Sequence, residues 1–266
     1  MTAPLVVVGD VLLDVDLVAA SARLSPEAPV PVLHDPVEHR RPGGAALAAL
    51  LATRAVAGRR PVVLVAPVAD DGAARELRRL LAGRLELVAV PWAGSTPVKT
   101  RLRVADHPVA RLDRGGDPGP IGALPDRALA ALGSAAAVLV SDYGRGASAD
   151  PAVRAALANL SCPLVWDPHP RGAAPVPGCT LVTPNLAELA GWAEPGAGGS
   201  LSGIRRAAQR LARQWQAGSI CVTLGSRGAM FCLADNAPHL IAPAQVGTGD
   251  TCGAGDCFAA AAAAGL

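Results

Sequence analysis

Lysine is nearly absent from this chain. Of its 24 basic residues only Lys99 is lysine, and all the others are arginine. Surface positions accept that exchange, so drift in base composition accounts for the bias. A lysine kept against it is either a chance survivor or a place where a compact ammonium is wanted. Aromatic side chains are scarce too, at 3% with a single tyrosine. With a net charge of +2 and no basic stripe interleaved with aromatic rings, nucleic-acid binding has no support.

Other absences narrow the class. The six cysteines contain no CxxC pair and follow no signal peptide, and most lie in apolar runs. They read as buried thiols of a reducing compartment, and the chain as cytoplasmic. The five histidines show no metal-ligand spacing. No apolar run is long and clean enough to cross a membrane. There is no GxxxxGKS/T, so this is not a P-loop enzyme. Gly247-Thr248-Gly249 lacks the third glycine of a dinucleotide fingerprint, and no GxSxG elbow is present.

What is present is a rhythm of short apolar runs and helical stretches. Residues 5–9, 62–66, 85–90, 135–141, 163–167, 180–183 and 219–224 read as strands buried on both faces. Residues 45–57, 72–82, 125–132, 151–159 and 201–216 read as helices; in the second, Leu77, Leu80 and Leu81 line one face while Arg75, Arg78 and Arg79 point away. The expectation is one α/β domain over 1–266, a mainly parallel sheet flanked by helices on both faces. Segments near 14–35 and 96–113 alternate in strand fashion, with a turn at His107-Pro108, and are expected to form a small β lid. Pro195-Gly196-Ala197-Gly198-Gly199-Ser200 is expected to be a surface loop.

One segment carries chemistry by itself. Asp250-Thr251-Cys252-Gly253-Ala254-Gly255-Asp256 precedes an alanine-rich helical run. Bare N–H groups at a helix start, with the helix dipole behind them, accept an anion. Gly253 and Gly255 let the backbone approach it, and Asp256 is placed to take a proton from a hydroxyl attacking a bound phosphoryl group. A loop that merely caps a helix is the competing reading.

This segment resembles the DTxGAGD signature of ribokinase-like (PfkB) carbohydrate kinases, and other segments follow in that family's order. Gly9-Asp10-Val11-Leu12-Leu13-Asp14 resembles the first strand, Gly43-Gly44 the paired glycine under the sugar, and Asn185-Leu186-Ala187-Glu188 the NxxE motif. Thr223-Leu224-Gly225-Ser226-Arg227-Gly228 resembles the nucleotide-side TLGxxG loop. Within the family, residues 23–32 (RLSPEAPVPV), Lys99-Thr100-Arg101, Arg111-Leu112-Asp113 and Ser141-Asp142-Tyr143-Gly144-Arg145-Gly146 are similar to the heptose-7-phosphate kinase branch.

The resemblance implies phosphoryl transfer from ATP to the anomeric hydroxyl of a sugar phosphate, with Asp256 as base and Gly253, Ala254 and Gly255 as anion donors. It implies that Asp14, Gly43, Gly44 and Asp142 bind the sugar, and that Lys99, Arg103, Arg111 and Arg145 are candidates for its phosphate. Asn185 and Glu188 would hold Mg through water. Thr223, Gly225, Ser226, Gly228, Asp250 and Thr251 would face ATP, with a monovalent cation site nearby. Bland readings stay open: Asp14 and Asp142 as strand-end caps, Arg103 as a solvated charge, Asn185 and Glu188 as a capping box, Gly225 and Gly228 as a hairpin turn.

Three departures stand out. Leu47 replaces the asparagine of the family's GGxxN, and Leu12 is apolar where ribokinases proper use a polar residue. Asp167-Pro168-His169 stands for the branch's DPK, exchanging a fixed cation for a titratable one. The chain also ends about ten residues after Asp256, where family members continue into helices closing the adenine pocket. An open nucleotide side is therefore expected. A lid-paired homodimer and a separate downstream nucleotidyltransferase, since no HxGH occurs, are further expectations. Another sugar kinase, or a non-catalytic kinase-like binding protein, remain alternatives.

Overall fold

The computed structural model describes residues 2–21, 23–105, 107–193, 199–243 and 253–266. The main sheet holds β1 (Leu5–Gly9), β4 (Val62–Val68), β5 (Glu86–Pro91), β8 (Ala137–Ser141), β9 (Leu164–Asp167), β10 (Leu181–Val182), β11 (Ser219–Thr223), β12 (Ala229–Leu233) and β13 (His239–Ile241). Among the described residues its order is β13-β12-β11-β10-β9-β8-β1-β4-β5. Pairing is parallel from β5 to β11, and β12 and β13 add an antiparallel edge. The seven expected strands are all present, with ends shifted by no more than about two residues.

Continuous apolar runs form these strands because both faces are covered. In β1, Val6 and Val8 join Val138, Val140 and Trp166 in a core roofed by α3 (Asp126–Gly133), α4 (Pro151–Ala158), α5 (Leu186–Trp192) and α6 (Leu201–Trp215). Leu5 and Val7 face the other way, joining Leu64, Leu139 and Val165 under α1 (Ala45–Ala55), α2 (Gly72–Leu81) and α7 (Ala254–Gly265). Helices α1 and α7 lie side by side through buried alanines, including Ala48, Ala49, Ala52, Ala259, Ala260 and Ala263. A larger side chain in that seam would have to push the helices apart. Along α2, Leu77 and Leu81 are buried while Arg75, Arg78 and Arg79 are exposed. Asp71 caps that helix by accepting from the Ala74 N–H at 2.7 Å.

A second sheet covers one end of the first, in the order β3-β2-β6-β7: β2 (Val11–Ala20), β3 (His34–Gly44), β6 (Val98–Val104) and β7 (His107–Arg114). Alternation decides what β2 presents. Leu13 and Val15 are buried in the core shared with α1 and α2, Leu17 packs against it, and Asp14 and Asp16 fall on the opposite face.

The lid differs from its sequence outline in two places. One of its outer strands is His34–Gly44 rather than the stretch before residue 35; that strand is polar and mostly exposed, so it carries no apolar alternation to read. His107-Pro108 is not a turn but opens β7, and the chain bends at Ala105, which is left-handed at φ 49°. Proline is tolerated there because β7 is an edge strand, and Pro108 pairs with Arg103 beside a register shift.

Cysteine burial is less uniform than the apolar runs imply. Cys179, Cys221 and Cys232 are buried, Cys162 is half-buried and Cys257 is exposed on α7. Cys252 and the loop residues 195–198 lie outside the described residues, though Ser200 caps α6 by accepting from the Gly203 N–H at 3.1 Å. Among the described residues no helix is long and apolar enough to cross a membrane.

Candidate active site

The C-terminal ends of β1, β8 and β9 meet beneath the lid, the usual ligand position of an open α/β sheet. Asp10, the residue after β1, organises this edge from inside. Its carboxylate accepts from the backbone N–H groups of Tyr143 (3.2 Å), Arg145 (3.0 Å) and Ala147 (3.0 Å). Asp142 works in a similar way, accepting from the Gly144 N–H and the Ser148 hydroxyl, both at 2.7 Å. Its oxygens therefore brace the loop after β8, and burial raises its pKa. The only sequence signal for Asp10 is its place, an acid directly past a buried strand.

Asp256 lies in the first turn of α7 and is 6% exposed. Gly253 precedes the helix at φ 81°, and no side chain caps this end. The first-turn N–H groups of Ala254 and Gly255 thus have no intrahelical partner. The Tyr143 hydroxyl donates to the Asp256 carboxylate, lying 2.8 and 2.9 Å from its two oxygens, and the Ser141 hydroxyl is 3.5 Å away. Burial pushes the Asp256 pKa up to about 6, while the Tyr143 and Ser141 hydrogen bonds hold it down; the Asp14 charge raises it and Lys99 lowers it. A carboxylate so poised is ionised at neutral pH yet still basic enough to accept a proton. In the sequence Tyr143, the one tyrosine, stands out only as a member of a longer segment.

The lid supplies the facing wall. Register places Asp14 beside Lys99 on β6 and Arg41 on β3, and Asp16 beside Arg101 and His39. The ion pairs cross diagonally: Arg101 to Asp14, and Arg41 to Asp16 at 3.1 Å. Lys99 is partly buried, which lowers its pKa, and its Nζ lies 5.8 Å from the Tyr143 ring centroid. Arg103 shares the strand face of Lys99 and Arg101. Arg111 is exposed on β7 and pairs with Asp113 at 2.7 Å. A Cβ on Gly43 would collide with the Asp14 carboxylate and Leu12, and Gly44 has φ 63°, so the paired glycines are required by packing and by backbone.

The other wall comes from β10 and β11. Asn185 and Glu188 form a reciprocal capping box on α5: Asn185 accepts from the Glu188 N–H at 2.9 Å and Glu188 from the Asn185 N–H at 2.8 Å. Asn185 bridges to Thr223, and the Thr223 N–H donates to the Pro184 carbonyl at 3.0 Å, which joins the two motifs. Gly225, Ser226 and Arg227 make a 3-10 turn between β11 and β12, and Gly228 follows at φ 88°. Asp250 and Thr251 lie outside the described residues. Leu47, the departure from GGxxN, lies where a Cβ on Gly253 would be 3.0 Å from its Cδ2.

Among the described residues no three His, Cys, Asp or Glu side chains converge to hold an ion directly. Burial raises the carboxyls of Asp167 and Glu188, and the Asp256 charge raises both further. Such mutual repulsion suits a hydrated divalent cation, which keeps its waters between ion and protein.

Solved structures share this architecture. A ribokinase from Arabidopsis thaliana superposes with a TM-score of 0.70 at 20% identity, covering 99% of this chain and 86% of that one. Phosphofructokinase-2 from Escherichia coli gives 0.67 at 20% identity, with 98% and 86% covered. The fold is ribokinase-like α/β. The chain belongs to the pfkB family of carbohydrate kinases, whose sequence profile matches residues 2–266. It is 52% identical over 262 residues to the bifunctional protein HldE of Streptomyces coelicolor, and 36% identical over 279 to that of Azorhizobium caulinodans. It covers 55% and 56% of those proteins, about half their length.

Proposed function

We propose that this chain transfers the γ-phosphoryl group of ATP to the anomeric hydroxyl of a sugar phosphate, D-glycero-D-manno-heptose 7-phosphate giving the 1,7-bisphosphate. The observation that carries the reading is the buried Asp256 at the uncapped start of α7, bonded by the Tyr143 hydroxyl, whose ring lies beside Lys99 of the lid. Asp256 accepts the hydroxyl proton as the sugar oxygen bonds to phosphorus and the bond to the ADP oxygen breaks. The N–H groups of Ala254 and Gly255 stabilise charge on the phosphoryl oxygens, an arrangement fixed before substrate arrives. Asp14, held by Arg101, accepts from sugar hydroxyls, and Gly43 leaves room for the Asp14 carboxylate to take that position.

Thr223, Gly225, Ser226 and Gly228 face the nucleotide. Gly225 leaves open space where a side chain would stand, which supports a close approach by ligand. Magnesium, when bound, would neutralise phosphate charge, and Glu188 with Asn185 would hold its water shell. Leu24, Val30, Val37, Val109 and Leu112 are exposed apolar residues of the lid region, which supports pairing of two copies there.

The test is ATP-dependent phosphoryl transfer across a panel of neutral sugars and sugar phosphates. Heptose 7-phosphate should be the best acceptor. Faster turnover of ribose or neutral hexoses would replace the acceptor while leaving kinase chemistry in place. No transfer to any sugar would leave a binding protein.

A further inference from the structure

Beside the loop that follows β8 lies a cavity of about 530 Å³. Its walls are the loop after β8, from Gly144 to Ala149, the loop after β9, from Arg171 to Ala173, and Gly116 at the root of the lid. Two features set it apart from ordinary surface. It is lined largely by glycine and alanine, and two arginines, Arg145 and Arg171, share it. Neither makes an ion pair among the described residues, whereas Arg40, Arg41, Arg79, Arg101, Arg111 and Arg127 all do.

Glycines shape the cavity. A Cβ on Gly116 would strike the Arg145 guanidinium, one on Gly144 would press on His169 and Arg171, and one on Gly172 would strike the Asp142 carboxylate. Arg145 is fixed from the other side as well, since its N–H donates to buried Asp10. Burial lowers the His169 pKa; Arg171, Lys99 and Arg145 each lower it further, and Asp10 opposes them.

We infer that this cavity seats the non-transferred phosphate of the acceptor, with Arg145 and Arg171 as its specificity-determining cations. The inference rests on the sugar-phosphate reading above and names the residues that distinguish such an acceptor from a neutral sugar. The nucleotide loops leave β10 and β11, whereas this cavity is walled by loops leaving β8 and β9. An anion in it therefore belongs to the acceptor. Gly144 follows Tyr143, whose hydroxyl touches Asp256, so the seat begins one residue from the group that contacts the base. Planar guanidinium forks suit phosphate oxygens, and losing one charge-assisted contact of this kind costs about 10- to 100-fold in affinity. Arg171, a permanent cation, stands two residues after His169 and lines this cavity.

Calorimetry on the wild type, Arg171→Gln and Arg145→Gln would compare heptose 7-phosphate, unphosphorylated heptose and ATP as ligands. Each variant should weaken heptose 7-phosphate about 10- to 100-fold and the other two ligands by less than about twofold. Arg171→Lys should fall between. Inorganic phosphate should compete with heptose 7-phosphate on the wild type and lose that competition in Arg171→Gln. Equal losses for heptose and its 7-phosphate would show a merely structural role, and unchanged affinities would show that the cavity holds no substrate phosphate; either result overturns the inference. Binding without turnover keeps the two readings separate. Arg171-dependent affinity in a protein that transfers no phosphoryl group would sink the kinase reading alone, and transfer to heptose 7-phosphate with unaltered affinity in the variants would sink the seat alone.

Discussion

The two walls of this site, the proposed acceptor wall and the proposed nucleotide wall, are built from different materials. On the acceptor wall, side chains do the positioning: Asp14, Asp16, Lys99, Arg41 and Arg101 are paired across three strands, and Tyr143 holds Asp256. On the nucleotide wall, Asn185 and Glu188 bond each other's backbone in a capping box. Among the described residues a ligand there also meets backbone, in the turn at Gly225–Arg227 and the uncapped first turn of α7. The difference teaches where substitutions should hurt. Acceptor-side changes remove chemistry or recognition, and nucleotide-side changes should mostly remove local stability.

The largest expected effect is on the chemical step. Asp256→Asn keeps the α7 N–H groups but removes the base, so kcat should fall on the order of 10²–10⁴-fold. ATP affinity measured by calorimetry should change little. Near-normal turnover in this variant would reduce Asp256 to a helix cap and end the contrast between the two walls.

The same variant should stabilise the fold at neutral pH. The Asp256 pKa is raised from the ordinary 3.8 to about 6 chiefly by burial, so the folded chain binds the proton more tightly than the unfolded one. Stability from that proton is fully present below about pH 4 and is lost as pH rises through about 6. At 1.36 kcal/mol per pKa unit, the charged form costs roughly 2–3 kcal/mol above pH 7. Asn carries no charge to bury, so Asp256→Asn should melt higher than the wild type at about pH 7.5, and the gap should close by about pH 4. Equal melting temperatures at both pH values would mean the carboxylate is better solvated than its burial indicates.

Tyr143→Phe sharpens the comparison further. The Tyr143 hydroxyl stabilises the ionised form of Asp256, so its removal should raise the Asp256 pKa. The acidic limb of the kcat/KM profile should move to higher pH by about half to one unit. A lower plateau with an unmoved limb would assign Tyr143 to packing instead.

Most of this architecture was legible in the sequence because buried parallel strands need uninterrupted apolar runs, and β1, β4 and β8 have them. The lid was legible only in part. β2 shows its alternation, but β3 is polar and solvent-facing, so hydrophobic patterning says nothing about it. In the site, Asp256 and the paired glycines could be found because backbone geometry restricts what can stand there. Asp10, Tyr143 and Arg171 could not, since their roles depend on which loops the sheet order brings together. Asn185 and Glu188 show the opposite limit. Their spacing signalled a motif, and the structure shows that same spacing serving as a helix cap.

That double use yields the smallest effect and the sharpest test of the nucleotide wall. Asn185→Ala removes the side-chain acceptor for the Glu188 N–H and breaks the reciprocal box. Loss of such a cap costs about 0.5–2 kcal/mol, and α5 is short enough that tertiary packing, chiefly buried Leu189, must hold the rest. A modest fall in unfolding free energy by denaturant titration is therefore expected. Glu188→Gln keeps the Glu188 N–H donor and an amide oxygen that can still accept from Asn185, so its stability should change less. The two variants separate on magnesium dependence. If Glu188 also holds the water shell of an ion, Glu188→Gln should raise the Mg concentration for half-maximal activity more than Asn185→Ala does, despite the smaller loss of stability. Parallel changes in both measurements would leave the pair as a cap alone, and the nucleotide wall as backbone throughout.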